Sequence, residues 1–420
     1  MNSALLLAVS GLAVGAPASP STPEVHALVV ATNRAADGSL APLRYADDDG
    51  ARWFELLGLT SRQVDLLTVL DAESQRIHPE AAQHARAPTY AELRASLERI
   101  FGRLEAARAS GRRTVFYFIY VGHGTVGPDG DGQMHLTDRR FGRRELFEEV
   151  IRRSPATVNH VIIDACHAFQ MVAKRGEAAE SAIDRAVESF LDEESLDRYP
   201  NTGVLLATTR SNEVHEWSGF QAGIFSHELR SALAGAGDVD GDGATTYAEA
   251  AGFVAAANAR LAFAEARLEL FARPPAIGLE SPVFARHWAR DAPRVRVPPR
   301  LAGRWWLEDD RGVRYADFHS AAGQNLVLTL VPREAYFLRN EKEQVVLPVR
   351  VSRTADASQF RRRRLTLAAR GGPARAFRED LFAVPFGAAW MDGYRASQSS
   401  LTASAEAPSL DPGWGVRETS

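Results

Sequence analysis

Two apolar runs of the chain end in residues that can carry out covalent chemistry. The run TVFYFIYV is followed by Gly-His-Gly, with His123 at the centre, and the run NHVIIDA is followed directly by Cys166. A cysteine near its ordinary pKa of about 8.5 is mostly protonated at neutral pH, so it needs an adjacent imidazole to become a thiolate nucleophile. His123 and Cys166 are therefore the candidate pair for thiol catalysis, and the same imidazole could protonate a leaving amine.

The glycines around the histidine have two possible uses. Because Gly124 lacks a side chain, its backbone N–H can approach a substrate carbonyl, and with the N–H of Cys166 it would form an oxyanion site. The alternative is that Gly122 and Gly124 only allow a tight exit from the strand. The adjacent His167 is interpreted as structural, because side chains of neighbouring residues point in different directions.

The elements that must position these residues have the pattern of a covered parallel sheet. Long amphipathic segments, of which 90–109 is the clearest, alternate with short apolar runs that predict buried strands. The four clearest runs cover 27–32, 114–121, 159–165 and 203–209. The carboxyl ends of parallel strands lie at one edge of a sheet, so His123 and Cys166 are expected to meet there.

The motifs YVGHG and DACHA resemble the two active-site motifs of caspase-like cysteine peptidases, and the D-x-C-H order is closest to metacaspases and their bacterial relatives. The segments 43–57, 135–138 and 223–233 are similar to other parts of that family, so the resemblance covers about residues 24–285. It implies a caspase-like three-layer α/β/α sandwich with a mostly parallel sheet. It also implies cysteine-type endopeptidase activity, with Cys166 as nucleophile and His123 as its proton partner.

The same resemblance implies an acidic substrate pocket. Asp164 aligns with the acid that lines the family's first specificity pocket, and Asp49 aligns with the second, although Asp47 and Asp48 beside it leave the register open. Two carboxylates would favour Arg or Lys before the cleaved bond. A first-turn or N-cap role in a helix is the alternative for Asp49. The chain departs from the family at Phe169, where a glycine is common.

A second motif predicts a calcium loop. The segment DVDGDGATTYAE (238–249) fits the pattern D-x-D-x-D-G-x5-E, with helical stretches on both sides. The predicted ligands are Asp238, Asp240, Asp242, the carbonyl of Ala244 and Glu249. The alternative is an acidic, glycine-rich turn without metal. The similar segment 127–132 lacks the closing glutamate and predicts a hairpin turn, and no cofactor is expected for catalysis itself.

The 420 residues are long enough for more than one folded unit. The predicted parts are a signal peptide over 1–18, a caspase-like domain over 24–289, a proline-rich linker over 290–301, a β-rich accessory domain over 302–388 and a disordered tail over 396–420. The leader predicts export to the periplasm or the exterior, and without it the protein would be cytoplasmic.

Composition limits the possible partners. A net charge of −4 provides no broad cationic surface, so no nucleic-acid partner is expected. No apolar run after the leader could span a membrane, and a single cysteine excludes a disulfide framework. A peptide or protein substrate is the expected partner. Two alternatives stay open: a catalytically silent caspase-like scaffold or binding protein, and a calcium-dependent adhesion or structural module.

Overall fold

The computed structural model of the chain describes most residues between 22 and 406. The described residues are 22–36, 38, 40–128, 130–165, 195–209, 216–261, 267–276, 282–348, 354–364 and 379–406. The predicted signal peptide lies outside them. Cys166, His167 and Phe169 lie outside them as well, because the described part of the second motif ends at Ala165.

The first part of the chain alternates strands and helices. Its strands are β1 (Glu24–Ala31), β2 (Ser61–Leu67), β3 (Ala85–Arg86), β4 (Thr114–Val121), β5 (Gly124–Val126), β6 (Gly132–His135), β7 (Arg140–Gly142), β8 (Val158–Asp164), β9 (Thr202–Thr209), β10 (Glu216–Trp217), β11 (Ala222–Gly223), β12 (Ala244–Thr246), β13 (Leu268–Arg273) and β14 (Pro282–Ala285). Its helices are α1 (Ala46–Gly58), α2 (Ala72–Ile77), α3 (Pro79–His84), α4 (Tyr90–Ala109), α5 (Arg143–Glu145, continued as a π-helical turn over Leu146–Ile151), α6 (Ile224–Ser231) and α7 (Tyr247–Asn258).

Seven of these strands form one mostly parallel sheet in the order β13-β9-β8-β4-β1-β2-β3. Only β13 runs antiparallel to its neighbour. The four predicted apolar runs are confirmed as β1, β4, β8 and β9, and every residue of β4 is buried, as a continuous apolar run requires. The prediction of a mixed α/β fold with a mostly parallel central sheet is therefore confirmed.

Helices cover both faces of the sheet because successive strand residues point to opposite sides. Ala27 and Val29 of β1 belong to a core formed with α1, α6 and α7. Leu28 and Val30 belong to a second core formed with α4 and the turn after α5. Helix α4 has the predicted bounds, and the hydroxyl of its N-cap residue Thr89 accepts from the Glu92 N–H at 3.3 Å.

The chain after residue 293 forms mostly antiparallel sheets, as predicted for 302–388. Its strands are β15 (Arg294–Val297), β16 (Gly303–Asp309), β17 (Arg314–Ser320), β18 (Leu326–Thr329), β19 (Ala335–Arg339), β20 (Glu343–Pro348), β21 (Thr354–Asp356) and β22 (Arg362–Arg364). Five of them form an antiparallel sheet in the order β17-β16-β19-β20-β22. A smaller sheet has the order β18-β15-β21, in which β15 pairs antiparallel with β18 and parallel with β21.

The segment 290–301, predicted as a linker, instead contains the central strand of that smaller sheet. In β15 the alternation Arg-Val-Arg-Val places Val295 and Val297 in the core, each with no exposed surface. Pro293 and Pro298 lie just outside the strand, where a missing N–H costs no ladder hydrogen bond. The prolines therefore bound the strand rather than mark an unstructured connection.

The antiparallel sheets share a hydrophobic core with the first part of the chain. Trp217, Phe220 and Phe253 belong to the same buried cluster as Trp305 and Phe318. A last helix, α8 (Ala388–Glu406), packs against α7, with Met391 buried and the Trp390 indole N–H donating to the Gly252 carbonyl at 3.1 Å.

The prediction of a disordered tail is therefore wrong for 396–406, which belong to α8, while 407–420 lie outside the described residues. The alanines and serines of this stretch are compatible with a helix that Met391 anchors to the core. In the described part of the chain, no helix combines the length and apolar character that a membrane span needs.

Candidate active site

The two motif-bearing strands lie side by side. Strands β4 and β8 pair in parallel, with Val121 opposite Asp164, and the Gly122 N–H donates to the Asp164 carbonyl at 3.0 Å. His123 comes two residues after Val121 in the chain, and Cys166 comes two residues after Asp164. The backbones that lead to these two residues therefore leave the sheet together at its carboxyl edge. Cys166 itself lies outside the described residues.

A buried tyrosine holds the loop that carries His123. The Tyr120 hydroxyl lies 2.7 Å from the His123 carbonyl and 3.0 Å from the His135 carbonyl, and it accepts from the His135 N–H at 2.9 Å. The His135 ring lies 6.4 Å from the His123 ring in an edge-to-face arrangement. Since Tyr120 is almost fully buried, this hydroxyl is a fixed support beneath the histidine loop.

The glycine before His123 is needed for close packing. A Cβ at residue 122 would lie 2.7 Å from the Tyr120 hydroxyl oxygen and 3.0 Å from the Thr32 carbonyl oxygen. Gly124 begins β5 and is paired with Met134 across the β5–β6 hairpin, which confirms the predicted hairpin turn over 127–132. The tight-exit explanation therefore accounts for Gly122, while an oxyanion role for Gly124 stays a prediction.

The structure brings Asp49 and Asp164 together. A Cβ at Gly223 would lie 3.1 Å from Asp164 Oδ2 and 3.2 Å from Asp49 Oδ2, so both carboxylates converge on this residue. The Gly223 N–H donates to Asp49 Oδ2 at 2.6 Å. Asp49 lies in the first turn of α1, where the helix dipole favours a negative charge.

Partners within the protein already engage both carboxylates. Asp49 Oδ1 lies 2.8 Å from a guanidinium nitrogen of Arg230. Asp164 Oδ2 accepts from the Ser226 N–H at 3.1 Å and from the Ser226 hydroxyl at 2.6 Å. Asp164 Oδ1 is buried and has no hydrogen-bond partner among the described residues. Burial is the main reason why the pKa of Asp164 rises to about 7; hydrogen bonds from Ser226 oppose this rise, and the nearby charge of Asp49 contributes to it.

Sequence reasoning missed the residues that complete this acidic site. Ser226 and Arg230 are four residues apart on α6, so they lie on one face of the helix. Their flanking residues Phe225 and Leu229 are apolar and buried. A serine and an arginine at this spacing, each next to a large apolar residue, are the signal that could have predicted a buried polar contact.

An acidic cavity of about 400 Å³ opens beside this site, at the carboxyl end of β1. Its lining includes Asn33, Tyr45, Asp48, Asp71 and Glu73. Asp48 is only 7% exposed, and burial raises its pKa to about 7, with the Arg52 charge opposing the shift. Sequence reasoning treated Asp48 only as a neighbour of Asp49.

The predicted calcium loop has helices before and after it, and three of its acids converge. Side-chain oxygens of Asp238, Asp240 and Asp242 all lie within 4.8 Å of one another. Glu249 is not part of this group, because it accepts from the Val239 N–H at 3.1 Å and from the Thr246 N–H at 2.9 Å. The three aspartates could hold a cation, whereas Glu249 would have to exchange these hydrogen bonds for a metal bond.

Comparisons with known proteins give fold-level likenesses only. No family model matches the chain, and no curated protein sequence matches it. Protein GSU0716 from Geobacter sulfurreducens is 17% identical with a TM-score of 0.39, covering 63% of this chain and 99% of its own. Caspase-1 from Spodoptera frugiperda is 10% identical with a TM-score of 0.38, covering 64% and 94%. The pro-form of that caspase is 12% identical with a TM-score of 0.36, covering 60% and 92%. Such distant likenesses carry no weight for activity.

Proposed function

We propose that this protein is a cysteine-type endopeptidase with a caspase-like fold, in which Cys166 is the nucleophile and His123 its proton partner. The observation that supports the proposal most directly is the pairing of Val121 with Asp164, which aligns the exits of β4 and β8. His123 and Cys166 follow this pair at equal offsets in the chain, which supports the proposal that the thiol and the imidazole meet at one edge of the sheet.

The proposed reaction proceeds in two steps. The Cys166 thiolate attacks the scissile carbonyl, and His123, carrying the thiol proton, gives that proton to the leaving amine as the C–N bond breaks. A water molecule then loses a proton to His123 and attacks the acyl-enzyme, which releases the acid and restores the thiol. Backbone N–H groups of Gly124 and Cys166 would stabilise the oxyanion in both steps.

We propose further that the enzyme cleaves after Arg or Lys, with Asp164 as the main acceptor. Asp49 already pairs with Arg230, whereas Asp164 Oδ1 has no hydrogen-bond partner among the described residues. A substrate cation near Asp164 would stabilise the ionised carboxylate and so lower its pKa from the raised value. The contribution of Asp49 is then to orient Gly223 and to add negative potential.

The test compares hydrolysis of fluorogenic peptides that carry arginine or neutral citrulline before the reporter group. We expect Cys166→Ala and His123→Ala each to abolish cleavage of the arginine peptide, and citrulline to replace arginine poorly. Cleavage by Cys166→Ala at the wild-type rate would reject the nucleophile. A folded wild type that cleaves no peptide would favour the catalytically silent scaffold.

Calcium binding by the loop 238–249 and export by the leader 1–18 are secondary proposals. The convergence of Asp238, Asp240 and Asp242 supports the first. Calorimetric titration with calcium chloride should give binding in wild type and none in Asp240→Asn, with the exposed-acid variant Asp310→Asn as control. Equal heats in Asp240→Asn and wild type would exclude the loop. A requirement of calcium for binding to a surface, without hydrolysis, would favour an adhesion module.

A further inference from the structure

The acidic cavity lies at the same edge of the sheet as the candidate active site. Strand β1, next to β4, ends at Ala31, and the Thr32 N–H donates to the Val121 carbonyl at 3.0 Å. The chain then continues to Asn33, which lines the cavity. The cavity therefore lies beyond the carboxyl end of β1, and the His123 loop lies beyond the carboxyl end of the adjacent β4. A polypeptide bound along this edge of the sheet would pass both.

The cavity has a negative lining. Asp71 accepts from the N–H groups of Glu73 and Ser74, each at 2.8 Å, and these hydrogen bonds lower its pKa, so it is ionised at neutral pH. Glu73 is exposed and lies 3.5 Å from Arg76. Among the described residues that line the cavity, three carry carboxylates and one, Arg44, carries a cationic side chain.

Among the described residues, the most buried of these acids has no arginine or lysine nitrogen within 4 Å, although the more distant Arg52 charge partly opposes the rise in its pKa. Asp48 Oδ1 is buried without a hydrogen-bond partner among the described residues, and its nearest basic group is the His78 imidazole, 3.6 Å away. Burial lowers the pKa of His78, so this imidazole is neutral at neutral pH. The Arg52 guanidinium donates to the Gln221 carbonyl at 2.6 Å and lies 3.8 Å from Asp49. Asp48 therefore gains most from a cation that enters the cavity.

We propose that this cavity is a second cation subsite, which takes the guanidinium or ammonium group of a basic residue upstream of the cleaved position in a polypeptide substrate. The proposal rests on the endopeptidase function proposed above. A metal ion fits less well, because among the described residues only the loop aspartates bring three carboxylates within ligand distance of one another. The dispersed acids of this cavity instead match an extended group with several donors, which is the geometry of a guanidinium.

Binding to a catalytically inactive protein tests the subsite separately from hydrolysis. Tetrapeptide amides ending in arginine, with a second arginine at one of the three upstream positions and alanine elsewhere, are titrated calorimetrically into Cys166→Ala. Each is compared with the peptide in which citrulline replaces the second arginine. We expect one position at which citrulline binds about tenfold more weakly, and we expect Asp48→Asn in the same background to abolish that difference.

Two further variants complete the design. Glu105→Gln removes an exposed acid near the end of α4 and should preserve the tenfold preference. Glu73→Gln removes an exposed acid of the cavity and should reduce the preference two- to threefold, which keeps the proposal testable if Asp48→Asn fails to fold. An equal preference at every position, or a preference that is undiminished in both cavity variants, would overturn the subsite. If arginine binding depends on Asp48 but the wild-type protein cleaves no peptide, the subsite stands and only the proposed endopeptidase function is rejected.

Discussion

Replacing Asp48 with asparagine should stabilise the protein at alkaline pH and have little effect in acid. The pKa of Asp48 is raised from 3.8 to about 7 in the folded protein. Below pH 3.8 the carboxyl is neutral in both the folded and the unfolded states. The stability that the folded protein has with a neutral Asp48 is then fully present. As the pH rises towards 7, the unfolded state loses the proton first, and the stability of the folded state declines.

The magnitude follows from the size of this shift. The rise of the pKa from 3.8 to about 7 corresponds to about 4 kcal/mol, because each tenfold change in proton affinity is worth about 1.4 kcal/mol; all of this is lost above pH 7. Asparagine is close in shape and cannot ionise, so it avoids this loss. The charged and titratable groups that face Asp48 are Asp47, Asp49, Arg52 and His78, with Asp71, Glu73 and Arg44 around the cavity. They are the same in both proteins, so their own titration largely cancels in the comparison.

Urea unfolding of wild type and Asp48→Asn, followed by tryptophan fluorescence at pH 4, 6 and 8, measures the effect. We expect nearly equal free energies of unfolding at pH 4 and an advantage for the variant of about 2 to 4 kcal/mol at pH 8. A variant that is less stable than wild type at pH 8, or a difference that does not change with pH, would refute the reasoning about an uncompensated carboxylate.

Three further variants test other parts of the structure. Tyr120→Phe removes the hydroxyl beneath the His123 loop, so we expect kcat to fall about tenfold with KM unchanged, measured on the arginine peptide. Gly50→Ala would place a Cβ 2.5 Å from that of Ala31, and urea unfolding should show a loss of about 1 to 3 kcal/mol. Glu55, whose pKa His78, Arg333 and Arg311 lower to about 2 against its burial, stabilises the protein above pH 4.5, and this stability is lost as the pH falls through 2. Glu55→Gln should therefore cost about 3 kcal/mol at pH 7 and little near pH 2, a difference visible in urea midpoints.

The sequence predicts the elements whose pattern is local. Strand β4 and helix α4 have the predicted bounds. A fully buried strand is a continuous apolar run and an amphipathic helix has a helical apolar stripe, so each is visible in the residues of its own segment. The two valines of β15 alternate equally clearly, but three nearby prolines have the composition of a linker. Prolines that bound a strand cannot be told from prolines of a linker until the partner strands are known.

Some residues of the candidate site could likewise be predicted from local motifs, whereas their long-range contacts could not. His123, Asp49 and Asp164 could be proposed from motifs, and the structure places the two acids together. The pairing of Asp49 with Arg230 joins residues far apart in the chain, and neither local sequence identifies the other residue as its partner. The raised pKa of Asp48 could not be predicted either, because it depends on burial and on which cations the fold brings close to it.

The shared core has a practical consequence for dissecting the protein. Trp217, Phe220 and Phe253 pack against residues from the antiparallel sheets, and Glu55 of α1 lies 2.8 Å from Arg333. A shortened chain ending at residue 289 would expose those aromatic rings to water and strip Glu55 of its guanidinium partners. Attempts to isolate the motif-bearing half by genetic truncation should therefore yield aggregated material, and studies of its chemistry need point variants of the whole polypeptide.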